Sequence, residues 1–268
     1  MMKFKVPQKK SLRYVKNFFI KKGLKNLVKE SGDLQKISNN DMIIKDPYKP
    51  ELQDLYMLYQ YILLNKRTTI LEFGSGWSSL IFCLAIQDLK KKYKNKIANL
   101  RRHNPFEIFI LENEKKFLNI SKNRIKKYNN KKSNSFIKIN YIFSTVQMIL
   151  YEGKIATEYM KIPTCSPDFI YLDGPDQFKV SNNINGITTA HKDMMPMVSD
   201  LLKIEYFLTP GTIIVCDGRG ANANFLKHHF KRNWIYKYDK KNDQHIFYLD
   251  SQTLGKINQL QLDFYKKK

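Results

Sequence analysis

The spacing of apolar residues changes near Thr68, and the change divides the chain into two patterns. Before that point apolar positions recur at helical spacing, within residues 1–30 and again within residues 51–65. From Thr68 onward, short apolar runs alternate with longer amphipathic stretches almost to the end of the chain. This alternation is typical of strands separated by helices, and it predicts a mostly parallel sheet.

The alternating part of the chain predicts an α/β fold with a doubly wound, mostly parallel, seven-stranded sheet. We assign it to residues 66–268 and assign residues 1–65 to a basic helical extension at the N-terminus. The predicted strands are 69–73, 106–111, 136–142, 168–172, 212–216, 234–238 and 245–249, and the predicted helices are 77–92, 114–128, 193–208 and 221–231. Long connections are predicted at 90–105 and 174–192, the second at the carboxyl end of a strand, where open α/β sheets bind ligands.

Residues 1–30 carry ten basic residues and one acid, Glu30, and they predict a basic amphipathic helix. Two interpretations stay open: a helix packed on the domain with a solvated lysine face, or a helix that lies on an anionic membrane surface. The longest apolar run, Leu80 to Ile86, is far shorter than the roughly 20 residues of a membrane span. We expect a cytoplasmic protein, with peripheral contact to the inner face of the membrane as the open alternative.

The composition fits a folded, enzyme-sized protein rather than a disordered polymer. The chain has 268 residues, 43% hydrophobic and 13% aromatic, with a formal net charge of +23. Only seven of its 47 basic residues are arginine, the side chain whose planar fork suits phosphates and base edges. The lysine excess therefore weakens a nucleic-acid-binding interpretation. Three cysteines without metal-binding spacing favour a reducing compartment.

The first predicted strand runs into a helix through two glycines. Gly74 and Gly76 allow a positive φ and a close approach of a ligand to the backbone. A dinucleotide fingerprint would have a third glycine where Ser79 stands. Glu72 at the strand end suits a cationic ligand, and free N–H groups at the helix start suit a carboxylate. A methionine-derived cofactor carries both an ammonium group and a carboxylate.

The segment from Glu72 to Gly76 resembles the first motif of the class I S-adenosylmethionine-dependent methyltransferases, an acid followed by G-x-G. A second strand that ends in Glu112 is similar to the next landmark of that family, and the resemblance covers about residues 68–250. It implies a Rossmann-like methyltransferase sheet, S-adenosyl-L-methionine as cofactor, and Glu112 as acceptor of the ribose hydroxyls. A helix-start acid and a solvated loop acid are the other interpretations of the two glutamates. The predicted cofactor-binding residues are Glu72, Gly74, Ser75, Gly76, Trp77, Ser78, Glu112, Asn113 and Asp173.

The fourth and fifth predicted strands end in Asp173 and Asp217, which we call the acid pair. Both would face one crevice, as a hard-cation site or as a base whose pKa its neighbour raises. The pair resembles the metal-dependent catechol O-methyltransferase type, which implies Mg²⁺ on Asp173 and Asp217. Gly218 stands where that type has an amide ligand. Asn222 and Asn224 are the nearby substitutes, and an N-cap role is the alternative for Asn222.

Three further side chains are candidates for the acceptor side. Arg219 would pair with Asp173 or hold an anionic acceptor. His191 would act as a base near neutral pH or lie on the surface, and His245 starts an edge strand that could face the crevice. The predicted catalytic residues are Asp173, Asp217, His191 and Arg219.

The acceptor is predicted to be a hydroxyl of a small molecule or of a sugar or glycan. Base methyltransferases usually carry an [Asn/Asp]-Pro-Pro-aromatic motif or a catalytic cysteine, and neither is present here. Residues 173–178 and 217–226 are weakly similar to methyltransferase-like proteins associated with polysaccharide biosynthesis. An RNA-directed methyltransferase and a non-catalytic nucleotide-binding module are the alternatives; the first would bind nucleic acid with strong salt dependence.

Overall fold

A computed structural model describes residues 4–32, 48–97, 100, 104–130 and 137–266. Seven strands form one sheet in the order β3-β2-β1-β6-β8-β10-β9, in which only β10 runs antiparallel to the rest. This confirms the predicted mostly parallel seven-stranded sheet, and its order, with the reversed strand next to the edge, is that of the Rossmann-like methyltransferase fold. The strands of this sheet are β1 (Thr69–Phe73), β2 (Glu107–Glu112), β3 (Lys138–Phe143), β6 (Phe169–Leu172), β8 (Ile213–Asp217), β9 (Trp234–Asp239) and β10 (Gln244–Leu249).

The burial of each strand explains its place in the sheet. β1 and β6 are buried along their whole length, and their runs TILEF and FIYL are almost entirely apolar, as strands covered on both faces require. β3 at the edge is partly or fully exposed at every position. The predicted start of that strand at residue 136 lies outside the described residues. The centre of the sheet is thus set by continuous apolar runs.

Eight α-helices lie within the described residues. They are α1 (Leu12–Lys21), α2 (Lys25–Glu30), α3 (Leu52–Asn65), α4 (Trp77–Ile97), α5 (Lys115–Asn129), α6 (Asp200–Lys203), α7 (Gly220–His229) and α8 (Lys256–Lys266). The predicted helical segment at the N-terminus forms two helices, because Gly23, at a φ of +84°, interrupts it. The ring of Phe18 contacts Tyr56 and Tyr59 of α3 at 5.1 and 4.9 Å between ring centroids. The apolar side of α1 therefore packs on α3.

The predicted helix over residues 193–208 is also wrong. Only the short α6 and one 3₁₀ turn form there, because residues 197–199 bond to a strand instead: Thr157 donates its N–H to the Met197 carbonyl, and Ser199 donates to Thr157. Pro196 also removes a backbone donor. The partner strand belongs to a second, small sheet that was not predicted, formed by β4 (Val146–Tyr151), β5 (Lys154–Tyr159) and β7 (Val180–Ser181).

Two layers of apolar side chains cover the main sheet. α3 and α4 share one cluster with β-strand residues such as Ile70 and Val215, whereas α6 and α7 share the other with Ile214 and Cys216. Helix α3 of the predicted extension thus packs directly on the sheet. Within the described residues, no helix is both long and apolar enough to cross a membrane.

Candidate functional site

The loop after β1 touches the end of β6 backbone to backbone. Gly74 has a φ of +93° and donates its N–H to the Leu111 carbonyl of β2 at 2.8 Å. A Cβ added to Gly74 would lie 3.0 Å from backbone atoms of Asp173 and Gly174, and one added to Gly174 would lie 2.5 Å from the Gly74 nitrogen. Only glycine fits at both positions, so the two strand ends form a narrow junction, which the Tyr159 hydroxyl also borders.

Glu72 lies fully buried beneath this loop. Its carboxylate accepts hydrogen bonds from the hydroxyls of Ser78, at 2.5 Å, and Ser79, at 2.7 Å, both in the first turn of α4. Burial raises the pKa of Glu72 to about 8, although the two serine hydrogen bonds oppose the increase. Both carboxylate oxygens of Glu72 thus accept hydrogen bonds from the start of α4, as expected if Glu72 is a helix-start acid.

Glu112, at the end of β2, is 3% exposed and is not a solvated loop acid. One carboxylate oxygen accepts the backbone N–H groups of Asn113 and Glu114 at 2.8 and 2.9 Å. The other accepts the Ser75 hydroxyl at 2.7 Å. Burial raises the pKa of Glu112 to about 7, and these hydrogen bonds oppose the increase. The glycine loop and the end of β2 thus meet through a carboxylate that binds a hydroxyl.

Two predicted cofactor residues have other contacts. The Asn113 side chain accepts the Asp176 N–H at 2.9 Å and donates to the Asp176 and Lys179 carbonyls at 3.2 and 3.3 Å, which ties the loop after β6 to β2. The Trp77 ring stacks under the Arg124 guanidinium at 3.6 Å and lines a groove of about 670 Å³ between α2, α4 and α5. These contacts connect structural elements and involve neither the glycine loop nor the acid pair.

The acid pair lies at the carboxyl edge of β6 and β8. Asp217 accepts the Tyr171 hydroxyl at 2.7 Å. Burial, and next the charge of Asp173, raise the pKa of Asp217 to about 7. Arg219 donates to the Asp173 and Pro175 carbonyls at 2.7 and 3.1 Å, and its Nε lies 3.7 Å from an Asp173 carboxylate oxygen. Arg219 was predicted either to pair with Asp173 or to hold an anionic acceptor, and in the structure it pairs with Asp173.

These residues do not fit a Mg²⁺ ion. Asp173 is paired with a guanidinium, Asp217 accepts a tyrosine hydroxyl, and Gly218 offers no side chain. In the described part of the chain, no three His, Cys, Asp or Glu side chains converge to hold a metal. The expected N-cap role of Asn222 is wrong, since it is the third residue of α7 and fully buried, whereas Asn224 is exposed.

Among the described residues, no hydrogen bond or ion pair joins either candidate histidine to the acid pair. The His191 side chain is 57% exposed and lies 3.7 Å from Asp193 in its own loop. His245 is buried, stacks on Tyr238 at 4.4 Å, and its Nδ1 hydrogen-bonds the Tyr236 hydroxyl at 2.8 Å. Burial lowers its pKa, so the ring is neutral at physiological pH.

The sequence interpretation missed the contribution of α3 and the segment before it. Tyr48 interacts electrostatically with Asp173, while Glu51 and Asp54 interact with Asp217. Burial, and then the charges of Asp217 and Glu51, raise the pKa of Asp54 to about 8. No spacing in the sequence connects residue 54 with residue 217. Only the packing of α3 over the carboxyl edge brings these groups together.

No family model and no curated protein match the chain. Among solved structures, the 16S rRNA methyltransferase RsmC of T. thermophilus, in complex with AdoMet and guanosine, is 12% identical with a TM-score of 0.38; the match covers 75% of this chain but only 42% of that enzyme. An O-methyltransferase from Bacillus cereus, in complex with SAH, is 11% identical, with a TM-score of 0.37 and coverages of 90% and 92%. Human methyltransferase-like protein 13, in complex with SAH, is 14% identical, with a TM-score of 0.31 and coverages of 79% and 85%.

Proposed function

We propose that this protein is an S-adenosylmethionine-dependent methyltransferase that methylates a hydroxyl of a small molecule or of a sugar or glycan. The observation that carries the proposal is the buried carboxylate of Glu112, which already accepts the Ser75 hydroxyl beside the glycine loop. The sheet order supports it, because the loop after β1 and the end of β2 are adjacent at the carboxyl edge.

The residues at this place fit the cofactor. The carboxylate oxygen of Glu112 that accepts Ser75 would accept a ribose hydroxyl instead, and the other oxygen stays fixed by two backbone N–H groups. Gly74 and Gly76 present backbone without a Cβ. When bound, the cofactor supplies an electrophilic methyl group. The protein's part is to hold and orient it between β1 and β2.

The acceptor side needs a group that takes the proton of the hydroxyl. We assign this role to Asp217, because its pKa of about 7 makes it a suitable base near neutral pH. Tyr171 and Gln244 both hydrogen-bond the Asp217 carboxyl and would hold it in place. Arg219 fixes Asp173 and the loop after β6, so we assign it a positioning role. His191 remains a candidate base only if its loop closes on binding, and a metal ion is not part of the proposal.

Calorimetric titration with S-adenosylmethionine and S-adenosylhomocysteine tests the cofactor. We expect micromolar binding to the full chain, at least tenfold weaker binding to Glu112→Ala, and no change for Glu152→Gln, an exposed carboxylate in the β4–β5 turn. Magnesium should make no difference. Failure of the unaltered protein to bind either compound would refute the proposal.

Formation of S-adenosylhomocysteine with a panel of sugars and glycans tests the reaction. Asp217→Asn should abolish turnover and leave cofactor binding intact. Cofactor binding without turnover on any acceptor would support a non-catalytic nucleotide-binding module. A tight RNA complex at physiological salt would instead support an RNA-directed enzyme.

We infer a cytoplasmic setting, with a role in polysaccharide biosynthesis, and a division into the extension 1–65 and the catalytic domain 66–268. Three free cysteines support a reducing compartment. On α1 the exposed side chains combine Leu12 and Ile20 with lysines, which suits an anionic membrane surface. Co-sedimentation with vesicles containing anionic lipids, compared with neutral vesicles, would test the peripheral contact.

A further inference from the structure

A group of polar side chains lies between α3, the carboxyl end of β8 and the amino end of β10. It is formed by Asp54, Tyr61, Asp217 and Gln244, and we call it the α3 pocket. Gln244 and Asp217 are directly opposite each other in the antiparallel β8–β10 pair, so their side chains share a face of the sheet. Their strand neighbours on that face belong to the apolar cluster that includes α3.

Two buried groups in this pocket point to a ligand. Gln244 is fully buried; its amide nitrogen acts on the Asp217 carboxyl as a hydrogen-bond donor, whereas its amide oxygen has no hydrogen-bond partner in the part of the chain that the structure describes. The same holds for the hydroxyl of the fully buried Tyr61, which interacts electrostatically with Asp217. Buried polar groups without partners destabilise a fold, so native proteins seldom retain them without a use.

The charge of the pocket indicates the kind of ligand. Asp54 interacts with Asp217 and Glu51, and Asp217 also interacts with Asp173, so neighbouring carboxyl groups repel one another along this edge in a chain whose net charge is +23. Positive side chains balance this charge only in part: Lys9 acts on Asp54 and Arg219 lies 3.7 Å from Asp173, whereas the partners of Asp217 are the uncharged Tyr171 and Gln244. Like charges at short range favour a bound cation.

We propose that the α3 pocket binds a protonated amino group of the methyl acceptor. The acceptor would then be an amino alcohol or an amino sugar, whose ammonium group donates to Asp54 and to the Gln244 amide oxygen. This places the neighbouring hydroxyl beside Asp217. An ammonium group has three donors, and the pocket supplies carboxylate and amide acceptors for them. The inference rests on the proposed function and narrows its substrate class.

The test compares amines with their neutral counterparts on the full chain. Glucosamine with N-acetylglucosamine, and ethanolamine with N-acetylethanolamine, are titrated in the presence of saturating S-adenosylhomocysteine. We expect the amine of at least one pair to bind tenfold or more tightly than its acetylated form. Asp54→Asn should remove that preference, Gln244→Met should reduce it, and Asp54→Glu should restore it in part. Asp263→Asn, on α8, removes the same charge elsewhere and should change nothing.

These results test the amine site separately from the methyltransferase proposal. Equal binding of amine and acetylated form in both pairs would overturn the amine site, and so would a preference that persists in Asp54→Asn. Thermal denaturation of each variant shows whether it is folded. S-adenosylhomocysteine binding, measured in the same samples, reports on the cofactor alone. An amine preference without cofactor binding would keep the pocket and refute the proposed function.

Discussion

Relative to the unaltered protein, Glu72→Gln should become more stable as the pH rises. Glu72 is fully buried, and its burial raises its pKa from 4.5 to about 8. Between these two values the unfolded chain has lost the proton while the folded protein still holds it. The stability that this group contributes is therefore complete below pH 4.5 and is lost as the pH rises through 8.

The magnitude follows from that window. One pKa unit corresponds to about 1.4 kcal/mol, so a rise from pH 5.5 to pH 7.5 lowers the free energy of unfolding by about 2–3 kcal/mol through Glu72 alone. Glutamine has nearly the same shape and does not titrate. It keeps an oxygen for the Ser78 hydroxyl, while its amide nitrogen meets Ser79, whose hydroxyl then has to accept instead of donate.

Urea denaturation of both proteins at pH 5.5, 6.5 and 7.5 measures this difference. At pH 5.5 we expect Glu72→Gln to be equal to or slightly less stable than the unaltered protein. Between pH 5.5 and pH 7.5 the free energy of unfolding of the variant should rise by about 2–3 kcal/mol relative to that of the unaltered protein. Glu152→Gln, in an exposed turn, controls for the loss of a charge. A difference independent of pH would refute the reasoning and mean that Glu72 is ionised in the folded protein.

Four other measurements follow from the contacts described. Ser75→Ala frees Glu112 from a hydroxyl that the ligand must displace, so S-adenosylhomocysteine should bind up to about tenfold more tightly by calorimetry; weaker binding would contradict this. In the unaltered protein the same affinity should fall about tenfold per pH unit below 7, as Glu112 takes up a proton. Gly174→Ala places a Cβ 2.5 Å from the Gly74 nitrogen and should cost about 1–3 kcal/mol in thermal denaturation, and an unchanged melting temperature would speak against the narrow junction. Glu205→Ala leaves three N–H donors before and in β9 without their acceptor and should cost about 3 kcal/mol or more in urea, where a loss under 1 kcal/mol would show that water replaces the carboxylate.

The main sheet could be predicted because its strands are buried on both faces. The runs at β1, β6 and β8 are mostly apolar and are bounded by glycine, proline or acidic residues, so their ends fall within one or two residues of the prediction. The β4–β5 hairpin was missed because its strands are partly polar and only partly buried. A signal was present in the turn Glu152-Gly153, which has the positive φ values of a two-residue hairpin loop.

Local periodicity failed where a long-range contact decides the structure. The apolar residues between 193 and 208 have helical spacing, but Val198 forms a bridge with Thr157 of β5, and residues 197–199 run alongside that strand. Backbone hydrogen bonds to a neighbouring strand replace those of a helix, and no window of the sequence contains both partners. The wrong helix and the missed hairpin thus meet at the same contact, between residues 197–199 and β5.

In the candidate site, the acids could be predicted from the sequence, whereas their hydrogen-bond partners could not. Glu72, Glu112 and the acid pair could be found because each stands at the end of an apolar run, and parallel strands bring their carboxyl ends to one edge. Their partners could not, since Ser75 meets Glu112 across two strands and Tyr171 meets Asp217 across another pair. A strand-end acid is a local feature, whereas its hydrogen-bond partner depends on which strands are adjacent.

The connection between α3 and β1 explains why residues outside the alternating pattern reach the acceptor side. α3 ends at Asn65 and β1 starts at Thr69, so the helix must run antiparallel to the strand that follows it. Its last turn then lies at the amino edge of the sheet, and its first turn lies at the carboxyl edge. Asp54 in that first turn is carried over Asp217 for this reason, since α3 is about 21 Å long. Part of the proposed acceptor site is therefore encoded before the first strand, where a search of strand ends does not look.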